Sequence, residues 1–218
     1  MKSHSKRIAP SKINVYHTKF VVHVHTLLWM GFSRLKRSTI SNLDEPAISG
    51  LICESIEAIF DSAESPAWVT DYDIHDDPPV HNRNRLGKYR RRVDIKLKSR
   101  RSRPRLRFCF EAKSFRTSKS ISAYLGNDGL GRFLDGSYSS DQEIGGMIAY
   151  VQVEDCDGWC MKIVARLDTE THKLGRGGMW TLVKITDDLP HTYRTIHKRE
   201  KQLTNITIIH TLLDCTGK

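Results

Sequence analysis

The sequence predicts a single α/β domain in which a central mixed β-sheet is flanked by helices. Residues 45–62 repeat apolar side chains at helical spacing. The two segments that follow, residues 89–99 and 106–115, alternate apolar and polar side chains as strands do. A chain of 218 residues can enclose one substantial hydrophobic core. We therefore expect one domain over residues 17–218, preceded by a basic N-terminal arm over residues 1–16.

The remaining elements follow from the same patterns and from capping residues. Asp44 or Asn42 is expected to cap the helix that begins near residue 45, with Pro46 in its first turn. The apolar segment 17–35 fits a helix, or a strand leading into a helix, and the Asp- and Pro-rich segment 70–88 reads as a polar loop. Further strands are predicted over residues 147–153, 179–185, 192–199 and 206–213, with a helix around residues 159–167.

Composition points to a polyanionic partner. The formal net charge is +10 and the pI is about 9.5, so the surface should attract nucleic acid or an acidic membrane. The longest apolar stretch, residues 20–32, is too short to span a bilayer, and we expect no membrane partner. Five cysteines at irregular spacing favour a reducing compartment, so the expected location is the cytoplasm.

Two carboxylates and a lysine can converge on the two predicted neighbouring strands. Alternation places Glu111 and Lys113 on one face of their strand and Asp94 on the polar face of the strand before it. Carboxylate oxygens, with the backbone carbonyl of Ala112, are ligands that Mg²⁺ accepts. A lysine beside the metal would orient or deprotonate a water, and should lower the pKa of both carboxyl groups.

These residues resemble the PD-(D/E)XK, or restriction-endonuclease-like, nuclease superfamily. The matching segments are Val93-Asp94-Ile95 and Glu111-Ala112-Lys113, preceded by the predicted helix at residues 45–61. The resemblance implies Asp94 and Glu111 as ligands of Mg²⁺ or Mn²⁺, with Lys113 as catalytic base or stabiliser. It also implies a glutamate from the helix, for which Glu54 and Glu45 are candidates. Val93 stands where many members carry proline.

A basic run surrounds the candidate site and is expected to contact the phosphate backbone. Between residues 83 and 107, Asp94 is the single acidic residue. Phosphate contacts supply affinity without sequence readout. The predicted nucleic-acid contacts are Arg90, Arg92, Arg100, Arg101, Arg103 and Arg105, with His197 and Arg199 as further candidates on a late strand.

The predicted function is that of a Mg-dependent endonuclease, a hydrolase acting on phosphodiester bonds, with DNA favoured over RNA. By analogy at the level of the fold, a small nuclease of this kind suits a microbial or phage-defence setting. Two alternatives stay open: a catalytically inactive nucleic-acid-binding subunit of a larger complex, and an interaction protein without a nucleic-acid role. Self-association is equally open.

Overall fold

The computed structural model describes residues 10–80, 90–138, 140–199 and 203–217, and for residues 10–16 it describes the backbone alone. The elements, in chain order, are α1 (Pro10–Ser33), α2 (Arg37–Ile40), α3 (Glu45–Phe60), a 3₁₀ turn (Ala67–Asp71), β1 (Tyr72–Asp76), β2 (Ile95–Ser99), β3 (Arg107–Phe115), α4 (Lys119–Leu125), α5 (Gly131–Leu134), β4 (Ile144–Val151), α6 (Cys156–Thr169), β5 (Thr181–Leu182), β6 (Thr192–His197) and β7 (Ile206–Asp214).

Within the described residues, seven strands form one mixed sheet in the order β1-β2-β3-β4-β7-β6-β5. β1, β2 and β3 form an antiparallel meander, β4 runs parallel to both β3 and β7, and β6 and β5 return antiparallel. The predicted α/β class with a mixed sheet flanked by helices is therefore confirmed.

Each face of the sheet is covered by its own group of helices. On one face, apolar side chains of α1 and α3 pack on residues such as Leu97, Phe110 and Ile148. On the other, α4, α5 and α6 pack on residues that include Phe115 and Met147. Because successive residues of a strand point to opposite faces, Glu111 and Lys113 share the second face with Phe115. Within the described ranges, no helix is long and apolar enough to cross a membrane.

Helix α3 begins as its sequence predicts, and this start places Glu45 in the first turn. The Asp44 side chain accepts a hydrogen bond from the Ala47 amide at 3.1 Å, and Pro46 occupies the first turn, where its missing N–H costs nothing. Ile48, Ile52, Ile56 and Ile59 are buried at helical spacing along the face that packs on the sheet. The cap and the apolar stripe together fix where Glu45 lies.

The structure departs from the predicted elements in several places. The segment 70–88 is not simply a loop: its residues 72–76 form β1, in which Tyr72 and Ile74 are buried while Asp73 and His75 face the other side. The segment 17–35 is helical up to Ser33, and α1 starts at Pro10, so residues 10–16 are helix rather than arm. Residues 1–9 and 81–89 lie outside the described residues. The strand expected over 179–185 is reduced to Thr181–Leu182.

Candidate active site

The structure brings Asp94, Glu111 and Lys113 together at the junction of β2 and β3. Asp94 lies immediately before β2, and its Oδ2 accepts a hydrogen bond from the Ala112 amide at 2.6 Å. The Lys113 Nζ donates to Glu111 Oε1 at 2.8 Å and to the Ala112 carbonyl at 2.6 Å. The Ala112 backbone therefore binds Asp94 through its N–H and Lys113 through its carbonyl, and Lys113 in turn holds Glu111.

Glu45 completes this group from the first turn of α3. Its Oε1 accepts from Lys113 Nζ at 2.9 Å and its Oε2 from the Ser114 amide at 3.2 Å. Of the two glutamates suggested on this helix, Glu45 therefore lies at the site. Glu54 is exposed, and it lies nine residues, or about 14 Å along the helix axis, from Glu45. Three oxygens, from Glu45, Glu111 and Ala112, thus accept hydrogen bonds from the Lys113 ammonium.

Glu111 is the most buried of these side chains, and Lys113 and Glu45 are partly exposed to solvent. The Glu111 side chain is 7% exposed, whereas those of Lys113 and Glu45 are 14% and 21% exposed. Tyr138, in the loop after α5, is buried beside Glu111, and its hydroxyl donates to the Arg92 carbonyl. Burial raises the pKa of Tyr138, and the charges of Glu111 and Asp94 raise that pKa further. Tyr138 was not predicted as a site residue, because it lies in a Gly-rich stretch of the sequence without a periodic pattern.

Burial sets the charge state of the carboxyl groups. It raises the pKa of Asp94 to about 6 and, together with the charge of Asp94, raises the pKa of Glu111 to about 8. Lys113 offsets only part of this effect, so the expectation that the lysine would leave both pKa values lowered is wrong. Burial lowers the pKa of Lys113, but Glu111 and Glu45 outweigh it and raise that pKa above its ordinary value. One ammonium thus faces more carboxylate charge than it can neutralise.

The raised pKa values predict how stability changes with pH in the absence of metal. A carboxyl group whose pKa is higher in the folded than in the unfolded chain stabilises the fold fully below its unfolded pKa, and this contribution is lost as the pH rises through the folded pKa. For Glu111 the window runs from about 4.5 to about 8. The Glu111→Gln variant should therefore melt several degrees above the wild type at pH 8.5 in EDTA, at about 2–4 °C per kcal/mol.

Thermal melts of both proteins from pH 4 to pH 9 check this expectation. The two melting temperatures should converge near pH 4, where Glu111 is protonated in both the folded and the unfolded wild type. A wild-type melting temperature that rises between pH 5 and pH 8, with no gain from Glu111→Gln, would show that Lys113 fully neutralises the carboxylates.

The oxygens of this group are of the kind that a hard divalent cation accepts. In the part of the chain that the structure describes, no three His, Cys, Asp or Glu side chains are grouped as a metal-chelating cluster. Asp94, Glu111 and the Ala112 carbonyl supply two carboxylates and one neutral oxygen, and Mg²⁺ commonly binds one or two carboxylates and keeps several waters. Oxygens of Glu111 and Ala112 already contact one cation, the Lys113 ammonium. The surplus negative charge favours a second.

Some of the arginines predicted to contact nucleic acid form ion pairs within the protein, and others are exposed. The acidic residues of the 71–77 segment, distant in sequence, form ion pairs with several of them, at 2.5–2.6 Å. Arg90, Arg103 and Arg105 are exposed, and neither Arg103 nor Arg105 has an acidic partner within 4 Å among the described residues. Asp94 is the single acidic residue within the basic run, but acidic residues from the 71–77 segment also neutralise part of its charge. The pairs are Arg92 with Asp77, Arg100 with Asp73 and Arg101 with Asp71.

His197 and Arg199 cannot act as the predicted backbone contacts. His197 is 0% exposed; its Nδ1 lies 2.9 Å from the Leu174 carbonyl and its Nε2 lies 2.8 Å from the Thr195 hydroxyl. Arg199 is 9% exposed, and its guanidinium donates to the carbonyls of Thr204 and Gln142. Both residues therefore satisfy internal acceptors of the β6–β7 region.

His197 belongs to a buried chain of hydrogen bonds whose direction can be assigned. Burial lowers the pKa values of His197 and His210, so both rings are neutral. The Leu174 carbonyl requires a proton on Nδ1 of His197, so Thr195 donates to its Nε2. Thr195 must then accept from Nε2 of His210, and the Tyr124 hydroxyl donates to the remaining ring nitrogen. This chain supports the core and is not an extension of the candidate site.

Comparisons with protein families, with curated proteins and with solved structures find no match to this chain.

Proposed function

We propose that the chain is a metal-dependent nuclease with a restriction-endonuclease-like fold, which hydrolyses phosphodiester bonds in DNA in preference to RNA. The observation that carries the proposal is the convergence of Asp94, Glu111 and Lys113, with Glu45, around the Ala112 backbone. Two rigid neighbouring strands and a capped helix hold these groups, which is the preorganisation that catalysis needs.

Asp94, Glu111 and the Ala112 carbonyl would hold Mg²⁺ or Mn²⁺. When bound, such an ion lowers the pKa of a coordinated water and stabilises negative charge on a phosphate undergoing displacement. The carboxylate of Glu45 would keep the Lys113 ammonium in position from the opposite side.

Lys113 is a charge stabiliser rather than a base in this proposal. A general base must give up its proton near the working pH, whereas Glu111 and Glu45 raise the pKa of Lys113 and keep it protonated. An ammonium fixed at the open rim of the site can attract a phosphate and offset its developing negative charge.

One observation favours the alternative of a nucleic-acid-binding protein without catalysis. Lys113 already has Glu45, Glu111 and the Ala112 carbonyl as partners, which is an arrangement that a purely structural ion-pair cluster would also have.

Incubation with supercoiled plasmid, single-stranded DNA and RNA separates the two functions. In Mg²⁺ or Mn²⁺ the wild type should nick or linearise the plasmid, and EDTA should stop it. Binding to the same substrates without cleavage in either metal would support the inactive binder and overturn the nuclease.

A further inference from the structure

The face of β1, β2 and β3 that is turned away from α1 and α3 carries a row of basic side chains. Strand register places His75 opposite Lys96 and Lys98 opposite Arg107, so these four residues share one face. We call them the basic face. On the same side of the sheet, α4 packs on β3, the strand that carries the candidate site.

The cations of the basic face are poorly neutralised by the protein itself. Lys96 is 8% exposed, and no Asp or Glu of the described residues lies within ion-pair distance of Lys96 or Lys98. Asp73, the acid across from Lys98, is held by Arg100 at 2.6 Å. Glu200 is the single Asp or Glu in the sequence outside the described ranges. Arg107 is paired with Asp141 at 3.3 Å.

The like charges of the basic face repel one another. Burial and the neighbouring charge of Lys96 lower the pKa of Lys98, and Arg107 and Arg105 add to that lowering. A cluster of like charges costs free energy, which an anionic partner recovers on binding. The exposed loop arginines Arg100 and Arg101 differ, because each has a carboxylate against it.

The basic face leads directly to the candidate site. Along β3, the residues Arg107, Cys109, Glu111 and Lys113 point to the same side at steps of about 6.8 Å. Arg107 is therefore about 14 Å from Glu111. That distance corresponds to about four nucleotide steps at 3.4 Å of rise per strand.

We propose that the basic face of β2 and β3 binds the sugar-phosphate backbone of DNA beside the candidate site, with the part-exposed Lys98 and Arg107 as contacts and the buried Lys96 adding positive charge beneath them. The ion-paired arginines of the loop after β2 are not part of that surface. This inference rests on the proposed function for the position of the scissile phosphate, but the binding itself requires neither metal nor cleavage.

The test compares two variants that lose the same amount of charge. Lys96→Gln combined with Lys98→Gln removes two cations of the basic face, and Arg100→Gln combined with Arg101→Gln removes two ion-paired cations. Affinity for fluorescent DNA of about 20 nucleotides, single-stranded and duplex, is measured by anisotropy in EDTA between about 50 and 200 mM salt. Lys98→Gln alone serves if the double variant of the basic face does not fold.

The lysine variant should bind both DNA forms more weakly and lose about one to two units of salt slope, since each neutralised phosphate contributes about 0.9 in duplex DNA and the buried Lys96 acts only through its charge. The single variant should lose about one unit. The arginine variant should keep the wild-type slope. An unchanged slope in the lysine variants, or a loss confined to the arginine variant, would overturn the proposal. Because EDTA prevents cleavage, a protein that binds in this way but never cuts DNA would refute the nuclease alone.

Discussion

Glu111→Gln should lower metal-dependent cleavage by about a thousandfold while the affinity for DNA in EDTA stays within about twofold of the wild type. The substitution preserves the shape of a side chain that is buried beside Asp94 and Lys113. It removes the carboxylate that would hold the cation, but no cation of the basic face. Asp94→Asn should have a comparable effect, because it leaves one carboxylate fewer in the same donor set. Rates of plasmid nicking measure both losses.

Glu54→Gln is the matched control for this prediction. Glu54 is also a glutamate of the α3 region, but it is exposed and away from the Lys113 ammonium. Its substitution should leave the cleavage rate unchanged. Full activity of Glu111→Gln would rule out the proposed assignment, even if the wild type cleaves DNA, because the reaction would then take place elsewhere.

Lys113→Met should destabilise the fold by about 3 kcal/mol at pH 9 in EDTA, where Glu111 is ionised. The ammonium is the cation against which Glu45, Glu111 and the Ala112 carbonyl are arranged, and its removal leaves buried negative charge without a partner. For a chain of this size the melting temperature should fall by about 6–12 °C. Millimolar Mg²⁺ should restore part of this loss, since a competing cation has been removed from the site.

Lys184→Met is the control for this second prediction. Lys184 is also paired with a carboxylate, that of Asp187, but both side chains are more than three-quarters exposed. An exposed pair contributes little to stability, because water and salt screen its charges. If Lys113→Met melts like this control, the four-residue group has no structural coupling and its geometry is not held by Lys113.

Elements with a strong local pattern could be predicted from the sequence. Helix α3 has its Asp44 cap and a regular apolar stripe, and β3 alternates over nine residues, so both were predicted close to their observed bounds. The short strand β1 was missed because five residues rich in Asp and His resemble a loop, and its pairing with β2 depends on residues 19–27 positions away. The alternation of apolar Tyr72 and Ile74 with polar Asp73 and His75 was the pattern that indicated a strand.

The candidate site was predictable as far as it lies on adjacent strands. Neighbouring positions on β2 and β3 follow from alternation, whereas the contact of Glu45 with Lys113 joins residues 68 positions apart and depends on how α3 packs. Burial was the quantity that the sequence did not reveal. It reversed the expected direction of the carboxyl pKa values and placed His197 inside the β6–β7 region. The ion pairs of Arg100 and Arg101 likewise could not be predicted, because they depend on where β1 and the turn before it lie in the fold.

Thermal melting of the wild type and Asp94→Asn with Mg²⁺, with Mn²⁺ and with EDTA tests the metal site most directly. At pH 8 Asp94 is ionised and Glu111 is beginning to ionise, so the two buried carboxyl groups repel each other, and a bound cation removes that repulsion. At a hundred times its dissociation constant, a cation that binds only the folded chain stabilises it by about 2.7 kcal/mol. The wild-type melting temperature should then rise by about 5–10 °C, and Asp94→Asn should show little or no rise. A wild-type melting curve that neither metal shifts, even with oligonucleotide present, would mean that these residues form a structural ion-pair cluster and that the chain is not a metal-dependent nuclease.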